Sequence, residues 1–241
     1  MTYEPRTYRD WVARSGLVSF NVALRESDLM IRATRDLSHQ ALDLLRRCRM
    51  EIERQIRRDP QFRTSLAPLP IPPDCASIVR RMLEAGAEWD VGPMAAVAGA
   101  VSDEVGRGLL RWTPEVIVEN GGDIFCKMNR PIELGLYAGE RSPFTGELKL
   151  RVDSSGKEIG ICTSSGTVGP SLSFGSANAV VTLAPTACLA DAAATAIGNR
   201  VTSDERVASV LAEEKVRGHL LGLLIARGAK IGAWGAIELA R

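Results

Sequence analysis

Asp191 and Thr195 stand four residues apart in the run Ala190-Asp191-Ala192-Ala193-Ala194-Thr195, a spacing that sets a carboxylate and a hydroxyl side by side on one face of a helix. Two oxygen donors so placed suit Mg²⁺, and the flanking alanines leave space for a substrate. A close-packed helix in which Asp191 meets a local donor accounts for the same spacing. A second constellation is Asn120-Gly121-Gly122-Asp123. Its two glycines let the backbone turn sharply and approach a ligand without a side-chain clash, with Asn120 and Asp123 available to the ligand's polar groups. A tight turn at a strand end is the plainer reading of these four residues. The third is Thr163-Ser164-Ser165-Gly166-Thr167-Val168-Gly169, where hydroxyls and backbone N–H groups can converge on phosphate oxygens. No Gly-Lys-Ser/Thr follows, so it is not a P-loop, and a polar surface loop is the alternative.

Other chemistries have less to stand on. His39 and His219 are isolated from one another in the chain and make neither a dyad nor a metal cage. The five cysteines, Cys48, Cys75, Cys126, Cys162 and Cys188, contain no Cys-x-x-Cys pair, which argues against a disulfide framework or a zinc knuckle and for a reducing compartment. They are expected to be buried small hydrophobes. The four tryptophans are not interleaved with basic residues, so stacking on nucleic acid has no support.

The elements that must position these residues follow from periodicity and turn chemistry. Leu17 to Leu24 and Asp28 to Ala33 have the pattern of two short strands around Arg25-Glu26-Ser27, a hairpin. From Asp36 to Arg58 apolar residues recur every three or four positions and predict a long amphipathic helix, ended by Asp59-Pro60. Its crowd of arginines (Arg46, Arg47, Arg49, Arg54, Arg57, Arg58) is expected to be a solvated face, with Asp43–Arg47 and Glu53–Arg57 as i,i+4 pairs. The Pro-rich stretch at 68–73 is an extended connector, followed by a helix from about Ala76 to Ala87. A helix from Gly92-Pro93 to about Leu110 carries so many small residues (Ala95, Ala96, Ala98, Gly99, Ala100, Ser102) that something must approach its backbone closely. Strands are expected at Glu115 to Glu119, Ile132 to Tyr137, Glu147 to Val152, Lys157 to Cys162 and Ala179 to Leu183. A helix then runs from about Thr186, a plausible N-cap, to Ile197. A helix near Glu205 to Glu214 and strands at Leu220 to Ala226 and Lys230 to Leu239 complete the chain.

Helices and strands do not alternate regularly, which favours α+β over a doubly wound sheet. At 241 residues with 45% hydrophobic content one composite domain, 1–241, can bury a core. Thirty basic against 29 acidic residues give a formal net charge of +1, so no global field draws the protein to nucleic acid or a membrane surface. The start has no apolar signal region, and no run of about 18 apolar residues occurs later; a cytoplasmic location is expected.

Taken in order, Asp90-Val91-Gly92-Pro93-Met94-Ala95-Ala96-Val97-Ala98-Gly99, Val118-Glu119-Asn120-Gly121-Gly122-Asp123-Ile124, Thr163-Ser164-Ser165-Gly166-Thr167 and Ala190-Asp191-Ala192-Ala193-Ala194-Thr195 resemble the ApbE superfamily, which contains the FAD:protein FMN transferases. The similarity is closer to its intracellular branch, uncharacterised protein family 0280. That branch shares the N-terminal strand pair, the helix ending at Pro60-Gln61-Phe62 and the tail around Gly232-Ala233-Trp234-Gly235.

The resemblance implies an α+β, tunnelling-fold-related domain with mixed or antiparallel sheets, packed helices and a cleft for a flavin nucleotide, FAD. Asn120, Gly121, Gly122, Asp123, Ser164, Ser165, Gly166 and Thr167 would line the cleft, and Asp191 and Thr195 match the superfamily's Mg²⁺ pair. In the transferases FMN passes to a protein Thr hydroxyl and AMP leaves, so a protein substrate is implied as a partner. Where they carry a Lys-Gly pair this chain has Ala96-Val97, and where they carry His and Asp-Pro it has Pro170-Ser171-Leu172-Ser173-Phe174-Gly175; no catalytic residue is assigned. Two other functions remain open at this point. One is an accessory role in sulfur assimilation and homocysteine formation, with Cys126 or Cys162 near the cleft. The other is a scaffold without catalysis that uses its sheet edges or helices for assembly. A homo-oligomer is also left open.

Overall fold

The computed structural model describes residues 16–135, 149–164 and 175–240. β1 (Val18–Leu24) and β2 (Ser27–Ala33) form the expected hairpin, with Leu24 paired to Ser27 across Arg25-Glu26 and Arg25 at φ 54°. α1 (Ser38–Arg58) follows, burying Ala41, Leu45, Cys48, Ile52 and Gln55 along one stripe. Asp59 ends it in extended geometry. Pro60 then starts a short helix that the sequence pattern did not suggest, α2 (Gln61–Thr64), which plugs Phe62 into the core. The charged face of α1 is solvated, but its pairs differ from those expected: Asp43 meets Arg46, while Glu53 meets Arg49 and Arg25.

α3 (Ser77–Trp89) ends on Asp90 in the left-handed conformation. The next helix is not continuous from Gly92. A 3-10 turn (Pro93–Ala96) comes first, Ala96 breaks at φ −122°, and α4 (Val97–Leu109) starts after it. β3 (Val116–Asn120) turns directly into β4 (Asp123–Lys127), a strand absent from the sequence expectation. β5 (Ile132–Gly135), β6 (Lys149–Val152), β7 (Ile159–Ser164) and β8 (Ala179–Ala184) follow. α5 (Ala187–Arg200) and α6 (Arg206–Arg217) precede β9 (Gly222–Arg227). The final strand expected at Lys230 to Leu239 is two strands, β10 (Lys230–Gly235) and β11 (Glu238–Ala240), split between sheets. Gly235, at φ 83° and with no room for a Cβ beside the Leu221 carbonyl, makes the break. Residues 136–137, 147–148 and 165–174, which held parts of the expected strands and the Ser/Thr loop, lie outside the described residues.

The architecture is α+β. Eight strands form one sheet in the order β1-β2-β3-β4-β7-β8-β9-β10, and β11-β6-β5 form a second. Every pairing in them is antiparallel. Alternation along each strand sends Val116, Val118, Phe125, Cys162, Val180 and Ile225 into a core shared with the helices. Ile117, Cys126, Ile161, Val181 and Leu224 go to the opposite face, where Leu134, Leu150 and Val152 of the small sheet cover them. With both faces covered, all six residues of β8 are buried.

The small residues of α4 are explained by α5. A Cβ on Gly99 would stand 2.1 Å from the Ala187 carbonyl oxygen, and on the sheet side a Cβ on Gly160 would stand 2.1 Å from the Ala187 nitrogen. The first residue of α5 is thus wedged between α4 and β7, a fit only glycine permits at both contacts. Asp103 of α4, fully buried, completes the clasp: its two carboxylate oxygens accept from Ala187 N at 3.0 Å and Cys188 N at 3.1 Å.

Candidate functional site

The Gly-Gly segment is the turn of a two-residue hairpin. Asn120 pairs with Asp123, and both central residues have positive φ, 69° at Gly121 and 104° at Gly122, the geometry that matches the twist of an antiparallel pair. Asn120 Nδ2 donates to the Ala98 carbonyl at 3.2 Å, Ser102 Oγ donates to the Asp123 carbonyl at 2.9 Å, and Gly122 N donates to Glu119 Oε1 at 2.9 Å. The hairpin end is therefore fixed on α4. One strand over, Asp123 lies directly opposite Cys162 of β7. Asp191, one turn into α5, reaches the same place, with its Oδ2 accepting from Gly99 N at 3.0 Å.

An oxygen from each aspartate and Sγ of Cys162 all lie within 4.8 Å of one another. Asp123 is 7% exposed, and its Oδ1 is buried without a hydrogen-bond partner. Burial, then the neighbouring Asp191 charge, then Glu119 push the Asp123 carboxyl well above the usual carboxylate range, against an opposing hydrogen bond from the Cys162 thiol. Burial also pushes Asp191 up, to about 7, although the Gly99 and Ala98 N–H groups favour its ionised form. The Cys162 thiol is pushed up by burial and by both aspartates. Among the described residues no Lys, Arg or His contributes to the charges acting on either aspartate. Two facing acids without a cationic side chain hold either a proton or an added cation.

The N-terminus of α5 is not free for a phosphate. Asp103 takes two of its N–H groups, and Thr186 Oγ1, the N-cap expected from the sequence, takes Leu189 N at 3.1 Å. Thr195 lies one turn beyond Asp191 on α5, half-buried, and Ser164 ends β7 opposite Val180, also half-buried. Ser165, Gly166 and Thr167 lie outside the described residues. Cys126, expected near the cleft, is on the other side of the sheet: three positions from Asp123 it has the opposite parity, and it packs with Ile117 and Ile161, its thiol pushed up to about 12 by burial. Sequence reasoning missed Asp103 and Glu119. Both are acids inside apolar or small-residue stretches, which is the one signal that marked them.

Residues 9–221 match the family model described as AbpE bacteria. A UPF0280 protein of Methanocella arvoryzae is 38% identical over 215 residues, 89% of this chain and 87% of its own length. The chain belongs to this UPF0280 family of ApbE-like proteins. Another UPF0280 protein, from Methanoculleus marisnigri, is 43% identical over 192 residues, 78% of this chain and 75% of that one. Among solved structures, the flavin transferase ApbE from Vibrio cholerae superposes with a TM-score of 0.59 at 12% identity, covering 91% of this chain and 97% of that chain. The ApbE protein of Thermotoga maritima does so with a TM-score of 0.55 at 13% identity, covering 93% and 97%. The UPF0280 chain therefore has the ApbE fold. Among its described residues no helix is long and apolar enough to cross a membrane.

Proposed function

We propose that this UPF0280 protein is a cytoplasmic, single-domain binder of a flavin nucleotide, FAD, together with Mg²⁺, and that its chemistry is related to FMN transfer. In this reading Asn120, Gly121, Gly122, Asp123, Ser164, Ser165, Gly166 and Thr167 face the nucleotide, while Asp191 and Thr195 face the cation. The observation that carries it is the convergence of Asp123 and Asp191, two acids brought together from a hairpin end and a helix with one carboxylate oxygen left unpartnered. Hard oxygen donors of this kind fit Mg²⁺. When bound, the cation would offset the charge of a dinucleotide pyrophosphate.

The chain's own residues contribute positioning. The Gly99 N–H orients the Asp191 carboxylate, and Ser102 and Asn120 fix the hairpin so that the glycine backbone can lie close to a ligand. Burial keeps the two acids poised to exchange a shared proton for a cation. Ala96-Val97 put no positive charge at the start of α4, so in this reading the cation would neutralise the phosphate.

Calorimetric titration of metal-stripped protein with FAD, FMN and ADP, with and without Mg²⁺, tests the reading. FAD binding that needs Mg²⁺ and is lost in Asp191→Ala is expected. Indifference to all three nucleotides would overturn it and leave a scaffold without a nucleotide site.

A further inference from the structure

Cys162 plays no part in that reading, yet its sulfur sits in the group of three ligand atoms with Asp123 and Asp191. The three residues come from β4, β7 and α5, and each is held from outside the group. Asp123 and Cys162 are fixed as a directly opposed pair in the sheet, Asp123 also through Ser102 on its carbonyl, and Asp191 through Gly99 N. A thiol hydrogen bond to Asp123 occupies one acceptor, but Asp123 Oδ1 remains buried and unpartnered in a residue only 7% exposed. An acceptor left so is unfavourable, a penalty that a ligand bound there removes.

We infer that Asp123, Cys162 and Asp191 form a thiolate-containing site for a borderline divalent cation of the Zn²⁺ class. Sulfur decides the class: Mg²⁺ takes oxygen ligands and sheds water reluctantly, whereas Zn²⁺ takes Cys sulfur and carboxylate oxygen together. Three protein ligands leave a tetrahedral cation one open position, the pattern of sites that act on a bound water or substrate oxygen. On binding, the Cys162 S–H bond gives its proton to solvent, the carboxyl pair loses any proton it shares, and sulfur and oxygen lone pairs bond the metal. This site shares Asp123 and Asp191 with the nucleotide reading and would compete with its Mg²⁺ for them, but it requires no nucleotide.

The test is titration of the metal-stripped full chain, without nucleotide, with Co²⁺ as a spectroscopic stand-in for Zn²⁺. One equivalent should raise a thiolate-to-cobalt charge-transfer band in the near ultraviolet. Zn²⁺ should abolish it, and a large excess of Mg²⁺ should not. Cys162→Ser should remove the band and weaken Zn²⁺ binding about tenfold or more, while Cys75→Ala keeps it. Absence of the band in the unmodified protein, or its survival in Cys162→Ser, overturns the inference, and the first outcome does not depend on how the variant folds. FAD calorimetry reads the nucleotide site separately, so a protein that shows the band but ignores FAD retains this site and loses the other.

Discussion

Replacing Gly99 by Ala tests the wedge that sets α5, and with it Asp191. The added Cβ would lie 2.1 Å from the Ala187 carbonyl oxygen, 2.5 Å from its carbon and 2.9 Å from Cys188 N. All three are backbone atoms, so no rotamer change relieves the overlap and the two helices must separate by about 1 Å. Overpacking of this kind costs about 1–3 kcal/mol. The separation also strains the Gly99 N to Asp191 bond, and a charge-assisted hydrogen bond is worth about 1.5–3 kcal/mol. Ala regains about 1 kcal/mol of helix propensity over Gly. The net expectation is a loss of about 3 kcal/mol, or ~6–12 °C in Tm for a chain of this size. Urea unfolding with the slope held constant, checked by calorimetry, measures it. Gly108→Ala is the control, since the nearest atoms its Cβ would meet belong to the flexible Leu44 side chain and not to backbone. A Gly99→Ala variant within about 0.5 kcal/mol of the parent would refute the wedge.

Metal-free protein should lose stability as pH rises. Asp191, raised to about 7 in the folded state, binds a proton there that the unfolded chain has already released above its own carboxyl pKa of about 4. Stability from this group is therefore full below about pH 4, falls through pH 7 by on the order of a few kcal/mol, and is flat above. Asp123, Cys162 and Cys188 are the titratable groups that feel its charge, and Asp191→Asn should flatten the profile in thermal melts across that window. Asp103→Ala should cost about 2–6 kcal/mol in urea unfolding, because it leaves two buried donors, Ala187 N and Cys188 N, without their acceptor, at about 1–3 kcal/mol each; Arg107 keeps its partner Glu158. Gly122→Ala, at φ 104°, should destabilise more than Gly121→Ala at φ 69°, where the left-handed well costs about 1–2 kcal/mol; equal melting temperatures would contradict the hairpin geometry.

Local features of this chain were legible before its structure. The stripe of α1 follows from a 3.6-residue period, the Gly121-Gly122 turn from backbone freedom, and the Thr186 cap from a hydroxyl before an apolar run. What escaped is tertiary. The small residues of α4 announced a close neighbour, but that the neighbour is Ala187, far along the chain, depends on how α5 docks. β4 was hidden because Asp123-Ile124-Phe125-Cys126-Lys127 is too short and mixed to declare a period. Cys162 meets Asp123 only because β7 pairs beside β4, with β5 and β6 passing to another sheet, so the thiol of the site could be named as a candidate thiol but not placed.

The wedge of Ala187 between Gly99 and Gly160 also bears on how the site discriminates. A helix held at its first residue by backbone on both sides cannot slide along its axis to suit an occupant. Asp191 is then presented at a set depth over the sheet, and the span between its carboxylate, Asp123 and Cys162 does not adapt. Rigid ligand sets select by ionic radius, because an ion too large or too small forfeits one contact instead of drawing it in. For a pocket built this way, affinities among cations that accept the same donor atoms should follow size more steeply than they would in a flexible loop.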